Sequence, residues 1–421
     1  MTVPMQKIAI IGTGIAGLGA GYFLKDKYDV TFYEKNDYPG GHTHTLTVEE
    51  EGKPVFIDSA FMVYNEITYP HFVCLLNELG VKTKDTSMTF SVQHVPSGLE
   101  YCGAGLNGLF AQRNNLLSPR HWRMLLDMDR FNKESVKVLW SEQYLSYTML
   151  DYAREEGYGQ DFLEKFLIPI SSAIWSAPPG QMLTFPVITL VRFFKNHGFL
   201  GLNTHYQWKT IVEGSQRYRD KILEHFNGKL RLSRGVQKVL RENSKAIVMD
   251  ERGGGEIFDK VILAAHADQS LKMLADPTSD ERRLLGCFKY QRNKATLHTD
   301  GSIMPKTKRA WSSWNYRITQ HGIPTTIYYM NSLQHVSQKK DYFISINEAG
   351  EIDPGKIIRE TVYEHPVYDV EAIKAQEELH RLNENGITYF CGSYFKYGFH
   401  EDALASALGV AGLMTGEGIR G

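Results

Sequence analysis

Six consecutive residues near the start of the chain carry its clearest chemistry. Gly12-Thr13-Gly14-Ile15-Ala16-Gly17 is a glycine-rich turn, and Glu34 follows Gly12 by 22 residues. A pyrophosphate carries two negative charges and must approach the backbone closely. A helix N-terminus meets it with free N–H groups and a partial positive charge. In that arrangement Gly12 allows the tight turn, and Gly14 lets the backbone near the phosphates. Gly17 lets a helix opening at Ile15 and Ala16 lie close to the preceding strand. An acid ending the next strand accepts the hydroxyls of an adenosine ribose and disfavours a 2′-phosphate; Glu34, followed by Lys35, is expected there. The pattern specifies a dinucleotide site only if a strand precedes the turn and a helix follows it.

Those positioning elements are readable around the turn. Ile8-Ala-Ile-Ile11 is a short apolar run of the kind a buried parallel strand needs. Gly14 to about Lys27 reads as a helix, and Asp29-Val-Thr-Phe-Tyr-Glu34 as a second strand, completing a βαβ unit. Lys229–Leu232, Val236–Leu240 and Ala246–Met249 alternate as antiparallel strands would. Gly253–Gly255 is a turn, and Val261–Ala265 a further buried strand. Thr388–Gly392 repeats the strand-to-glycine pattern, and about Asp402 to Thr415 is a helix of small residues. Between these blocks, 105–205 reads as helical and aromatic. Strands are expected at Lys294–His298, Thr325–Met330 and Tyr342–Asn347.

Further segments carry a family resemblance. Lys35-Asn-Asp-Tyr-Pro-Gly40-Gly41-His42-Thr43 resembles the second fingerprint of the glutathione-reductase-like flavoproteins, in their amine-oxidase and phytoene-desaturase branch. The resemblance implies that the Gly40-Gly41 pair lets the backbone pass beside pyrophosphate and flavin; His42 stands where relatives usually have arginine. Val236, after Gly235, matches the valine whose backbone faces adenine. Gly392-Ser-Tyr-Phe-Lys-Tyr-Gly-Phe-His400-Glu401-Asp402-Ala403 is similar to the C-terminal flavin motif, whose helix N-terminus aims at the ring's pyrimidine end and favours its reduced anion. Together these imply FAD rather than NAD.

A narrower group is suggested by PGGHTHT (39–45), IDSAFMVYNEITYPHF (57–72), AIWSAP (173–178), RNKATLHTD (292–300) and YGFHEDALASAL (397–408). These resemble bacterial flavoproteins similar to the N-terminal flavin domain of plant cyclopropane-fatty-acyl-phospholipid synthases, over nearly the whole chain. The implied fold is α/β, a glutathione-reductase-like FAD-binding Rossmann domain with an inserted α+β substrate domain. The cofactor domain would be discontinuous (1–84, 206–275 and 376–421), with 85–205 and 276–375 binding substrate. The implied reaction is dehydrogenation or desaturation of a modified fatty-acyl or lipid chain. An amine or amino-acid oxidase of the same fold is a second reading. An accessory subunit of a fatty-acyl methyltransferase or cyclopropane synthase is a third.

Flavin chemistry demands few protein groups, and no Ser-His-Asp, paired-carboxylate or metal constellation stands out, so no metal is expected. The catalytic candidates are His400 and Tyr397 in the C-terminal motif, and Lys294, because amine-oxidase relatives often hold a lysine near the flavin. Glu401, Asp402 and Ala403 are expected at the cofactor, with Asp402 also placed to cap the last helix. Phe61, Trp175, Trp311, Trp314 and Tyr394 are candidates to line an apolar substrate pocket, although aromatic residues are more often plain core. Residues 109–126 mix Arg113, Arg120 and Arg123 with Trp122 and leucines. They read first as an amphipathic helix facing the core, and alternatively as a surface that docks on an anionic membrane.

Composition narrows the classes further. A net charge of −1 over 421 residues argues against a general nucleic-acid binder. Cys74, Cys102, Cys287 and Cys391 are scattered, as in reduced cytoplasmic proteins. No signal peptide or run of about 20 apolar residues is expected, leaving at most peripheral contact with the inner membrane surface.

Overall fold

The computed structural model describes residues 5–201, 206–320, 324–384 and 386–416. Strand β1 (Gln6–Ile11) is followed by helix α1 (Ile15–Leu24) and strand β2 (Tyr28–Tyr33). β1 is the centre of a five-stranded, all-parallel sheet. Its order is Leu230–Arg231, β2, β1, Lys260–Leu263, Thr388–Phe390. The apolar run of β1 follows from cover on both faces. Ala9 and Ile11 join one core cluster, whereas Ile8 and Ile10 join another on the opposite side.

The sheet draws strands from the start, middle and end of the chain. Leu230–Arg231 departs from the antiparallel role read from the sequence, because it pairs in parallel with Phe32 and Tyr33 at the sheet edge. The alternation recognised there belongs instead to Val236–Glu242, Lys245–Asp250 and Gly255–Phe258, a separate antiparallel sheet. Over the main sheet, α1 lies against the last helix, His400–Thr415, whose Leu404 side chain occupies the space that a side chain at Gly19 would need.

A second sheet has seven strands. Its order is Ile357–Val367, Lys289–His298, Phe343–Ile346, Thr325–Tyr329, Trp314–Ile318, Phe90–His94, Leu99–Cys102. All its pairings are antiparallel except that between Trp314–Ile318 and Phe90–His94. The stretch 105–196 is largely helical. It includes Pro119–Glu134, Met149–Glu155, Ile168–Trp175 and Val187–Asn196, the third of which packs on the strand Trp314–Ile318. No helix among the described residues is long and apolar enough to cross a membrane, and they hold no group of His, Cys, Asp and Glu able to bind a metal.

Candidate active site

A cavity of about 980 Å³ is lined by residues from both large sheets and the helical block. That is at the upper end of the roughly 300–1,000 Å³ of ligand pockets. Gly12, Gly14, Ile15, Ala16, Glu34, Lys35, Gly40, Gly41, His42, Val236, Gly392 and Ala403 all line it, although they are spread over nearly 400 residues of chain.

The turn after β1 is built as phosphate binding requires. Gly14 precedes α1, and a Cβ placed on it would meet nothing within 4 Å, so the space ahead of the helix is open. Gly17 does not line the cavity; a Cβ there would fall on the carbonyl oxygen of Gly12, so its place is helix-to-turn packing. Gly40 and Gly41 have φ of +117° and +58°, and a Cβ on Gly41 would stand 3.3 Å from Gly14 Cα. Two backbone segments thus meet where side chains would separate them. Glu34 is buried, its Oε2 accepting from Thr13 Oγ1 (2.6 Å) and Thr13 N (3.1 Å), its Oε1 from Asn36 N (3.0 Å). Oε1, which accepts only once, keeps a lone pair for a ligand hydroxyl. Arg234, Gly235 and Glu251, which the sequence did not single out, complete this end beside Val236.

The middle of the cavity is a cluster of rings. His42 lies 5.1 Å, centroid to centroid, from both Tyr363 and His365, and its Nε2 is buried with no hydrogen-bond partner. Enclosure, with neighbouring histidines adding, holds the His42 pKa well below the ordinary imidazole range and lowers that of His365 to about 4. His365 Nδ1 accepts from the amide of Asn293 (2.6 Å), placing its own proton on Nε2. His400 stacks on Phe61 at 3.7 Å, and its Nε2 meets the Tyr218 hydroxyl at 2.8 Å. Burial pushes its pKa down to about 3. The same Tyr218 hydroxyl bonds Thr43 Oγ1, so Thr43 ties the glycine-pair loop to the last helix from behind the cavity wall. Tyr394, Tyr397 and Phe399 line the cavity beside His400.

The remaining wall is apolar. Met88, Ala173, Ile174, Trp175, Phe193, Phe199, Trp314, Tyr328 and Leu333 line it, with Phe61, Met62, Val63, Tyr69 and Trp208 on the adjoining side. Trp175 and Phe193 are 4.9 Å apart, and Phe193 stacks on His197 at 3.8 Å. The charged lining residues, Glu34, Lys35, Arg234, Glu251, Lys272, Arg292 and Glu364, all come from other segments.

Four further expected site residues, besides Gly17 and Thr43, stand outside the cavity. Lys294 is on the strand Lys289–His298, but its ammonium is paired with Glu348 (3.0 Å) and Glu360 (2.8 Å) outside the cavity. Strand alternation decides this, because it turns Asn293 rather than Lys294 toward His365. Trp311 lies in another core cluster, its Nε1 donating to Pro305 O. Glu401 accepts from the backbone N–H groups of His71 and Phe72 at 2.9 and 3.0 Å, capping the helix Pro70–Glu78. Asp402 reaches back to Phe399 N (2.9 Å), since the last helix begins at His400 rather than at Asp402. Burial raises its pKa to about 6.

The open space before Gly14 and the unpartnered His42 Nε2 are features that fit a bound dinucleotide with a polar ring at its far end. The family model described as flavin containing amine oxidoreductase matches residues 15–328. A 1-hydroxycarotenoid 3,4-desaturase from Flavobacterium sp. is 31% identical over 159 residues, which are 34% of this chain and 29% of that protein. Among solved structures, a CLA-producing fatty acid isomerase from P. acnes superposes with a TM-score of 0.68 at 14% identity, covering 97% of this chain and 98% of its own. Cyclohexylamine oxidase from Brevibacterium oxydans gives 0.70 at 14% identity, over 98% and 100% of the two chains. At such identity the structural likeness is one of fold.

Proposed function

The chain belongs to the flavin-containing amine oxidoreductase family, its cofactor is FAD, and we propose that it dehydrogenates or desaturates a fatty-acyl or other lipid chain. The observation that carries this reading is the wall from Met88 to Leu333, which offers a long apolar surface without a carboxylate. A cationic amine would need a charge partner when desolvated there. An acyl chain needs only apolar contact and exclusion of water.

On this reading, segments 1–84, 206–275 and 376–421 hold the cofactor, while 85–205 and 276–375 hold the substrate. Gly12, Gly14, Ile15, Ala16, Gly40 and Gly41 would receive the pyrophosphate, and Glu34 the ribose hydroxyls. When bound, FAD supplies a two-electron acceptor for a hydride. Trp175, Phe193 and Trp314 orient the chain and keep water out. His42, uncharged and with an unpartnered Nε2, would hydrogen-bond the ring system of the bound cofactor. His400 and Tyr397 stand nearby to position the chain.

Anaerobic mixing of the holoprotein with phospholipids bearing cyclopropane or methyl-branched acyl chains should bleach the flavin absorbance. Mass spectrometry should then show products lighter by two hydrogens. His42→Ala should shift the flavin absorbance spectrum and slow bleaching while retaining flavin. Bleaching by polyamines and not by lipids would replace this reading with an amine oxidase. A flavin inert to both, in a protein that co-purifies with a fatty-acyl-modifying enzyme, would make it an accessory subunit.

A further inference from the structure

Between Glu100 and Asp127 the chain has no acidic residue, yet it carries Arg113, Arg120 and Arg123. The helix Pro119–Glu134 turns His121, Met124, Met128 and Phe131 into the core, which accounts for one of its faces. Its other face, with the turns before it, leaves large apolar side chains in solvent: Leu117 is 90% exposed, Leu106 71%, Leu126 66%, Leu116 47% and Trp122 43%. They form one surface. Trp122 Nε1 donates to Leu116 O at 2.9 Å, Trp122 and Leu126 are one helical turn apart, and Arg113 bonds Asn107 on the short helix that carries Leu106.

The rim of this surface is cationic. The loop 306–309 packs beside the same short helix and adds exposed Lys306, Lys308 and Arg309. Arg120 is paired with Asp161, but Arg113, Arg123, Lys306, Lys308 and Arg309 have no carboxylate partner among the described residues. Glu100, the acid before this stretch, is buried and accepts from Lys306 N and Thr307 N, and Asp127, the acid after it, accepts from Arg130 and Gly159 N. Leucines and an indole-bearing residue surrounded by unpaired cations match an interfacial layer of acyl chains beneath anionic headgroups.

We propose that this face, built from 105–126 and 306–309, docks the protein on an anionic lipid bilayer. It holds whatever the cavity oxidises, because it concerns adhesion and not turnover.

The test is co-sedimentation of the FAD-loaded protein with sonicated vesicles of phosphatidylglycerol and phosphatidylcholine, against phosphatidylcholine alone. Binding should appear with the anionic vesicles in 50 mM salt and fall at least tenfold in 500 mM. Each cation at such a surface is worth about fivefold in partition, so Arg123→Glu with Arg309→Glu should reduce it by about 25-fold or more. Leu117→Ser with Leu126→Ser should weaken it at constant charge. Unchanged flavin absorbance and melting temperature show that these variants are folded. No binding to anionic vesicles, equal binding to both kinds, or full binding by both folded variants would overturn the proposal. Failure to sediment combined with capture of a second protein through the same residues would make the face a protein interface instead.

Discussion

Single residues in this protein are governed by what encloses them. His298 is fully buried; its Nδ1 accepts from Asp300 N at 3.1 Å, and its Nε2 meets Ser345 Oγ at 2.8 Å. That bonding needs the neutral ring, and burial lowers its pKa from 6.5 to about 4. The folded value is depressed, so unfolded chains bind the proton first. His298 therefore costs nothing above pH 6.5 and destabilises the fold as pH falls from about 6.5 to 4, by up to about 3 kcal/mol. The melting temperature of wild type should drop more steeply across that window than that of His298→Asn. Parallel curves would refute the assignment. Asp402, raised to about 6 by burial, works in the opposite direction and is common to both proteins, so it cancels in the comparison.

At the scale of elements, Asp58 joins three of them. It ends the strand Lys53–Asp58 and is fully buried. Its carboxylate accepts from Ser215 N (2.9 Å) and Ser215 Oγ (2.7 Å) before the helix Gln216–Leu223, from Thr45 Oγ1 (2.5 Å), and from Gln334 Nε2 (2.7 Å). Burial pushes its pKa up while these donors pull it down. Asp58→Ala would leave the Ser215 and Thr45 donors without this acceptor in the interior, although Gln334 Nε2 keeps Met62 O and Thr210 Oγ1, and we expect a loss of about 3 kcal/mol or more in urea unfolding. Asp58→Asn keeps the acceptor oxygen and should lose less. Equal losses would mean that the site responds to volume and not to hydrogen bonding. Element geometry also explains Lys294: one step along its strand separates a solvent ion pair from the face that carries Asn293.

For the whole molecule, the cavity lies between the five-stranded sheet, the seven-stranded sheet and the helical block, with lining residues from Ile11 to Ala403. A ligand that fills it binds the folded chain and not the unfolded one. At a hundredfold excess over Kd, FAD should add about 2.7 kcal/mol, raising the melting temperature by several degrees. Removing the flavin should reverse this, and added FAD should restore it in proportion to the logarithm of its concentration. A melting temperature indifferent to FAD would show that the cofactor is not held between these layers.

Local pattern was sufficient for the cofactor class and the family. Gly12 to Gly17, Glu34 and the Gly40-Gly41 pair are spaced along the chain as the binding chemistry spaces them, so adjacency in sequence carried the information. The same holds for β1, α1, β2 and the last helix, whose runs of apolar and small residues are contiguous in the chain. Tertiary structure alone decided what could not be local. It brought His365 and Tyr363 against His42, set Arg234 and Glu251 beside Val236, and sent Lys294, Trp311 and Glu401 elsewhere. It also moved Leu230–Arg231 from a supposed antiparallel group to the edge of the parallel sheet. The physical reason is common to all of these. Which face of a strand turns inward, and which distant strand pairs with it, depends on the register and packing of segments hundreds of residues apart, and no single segment encodes that alone.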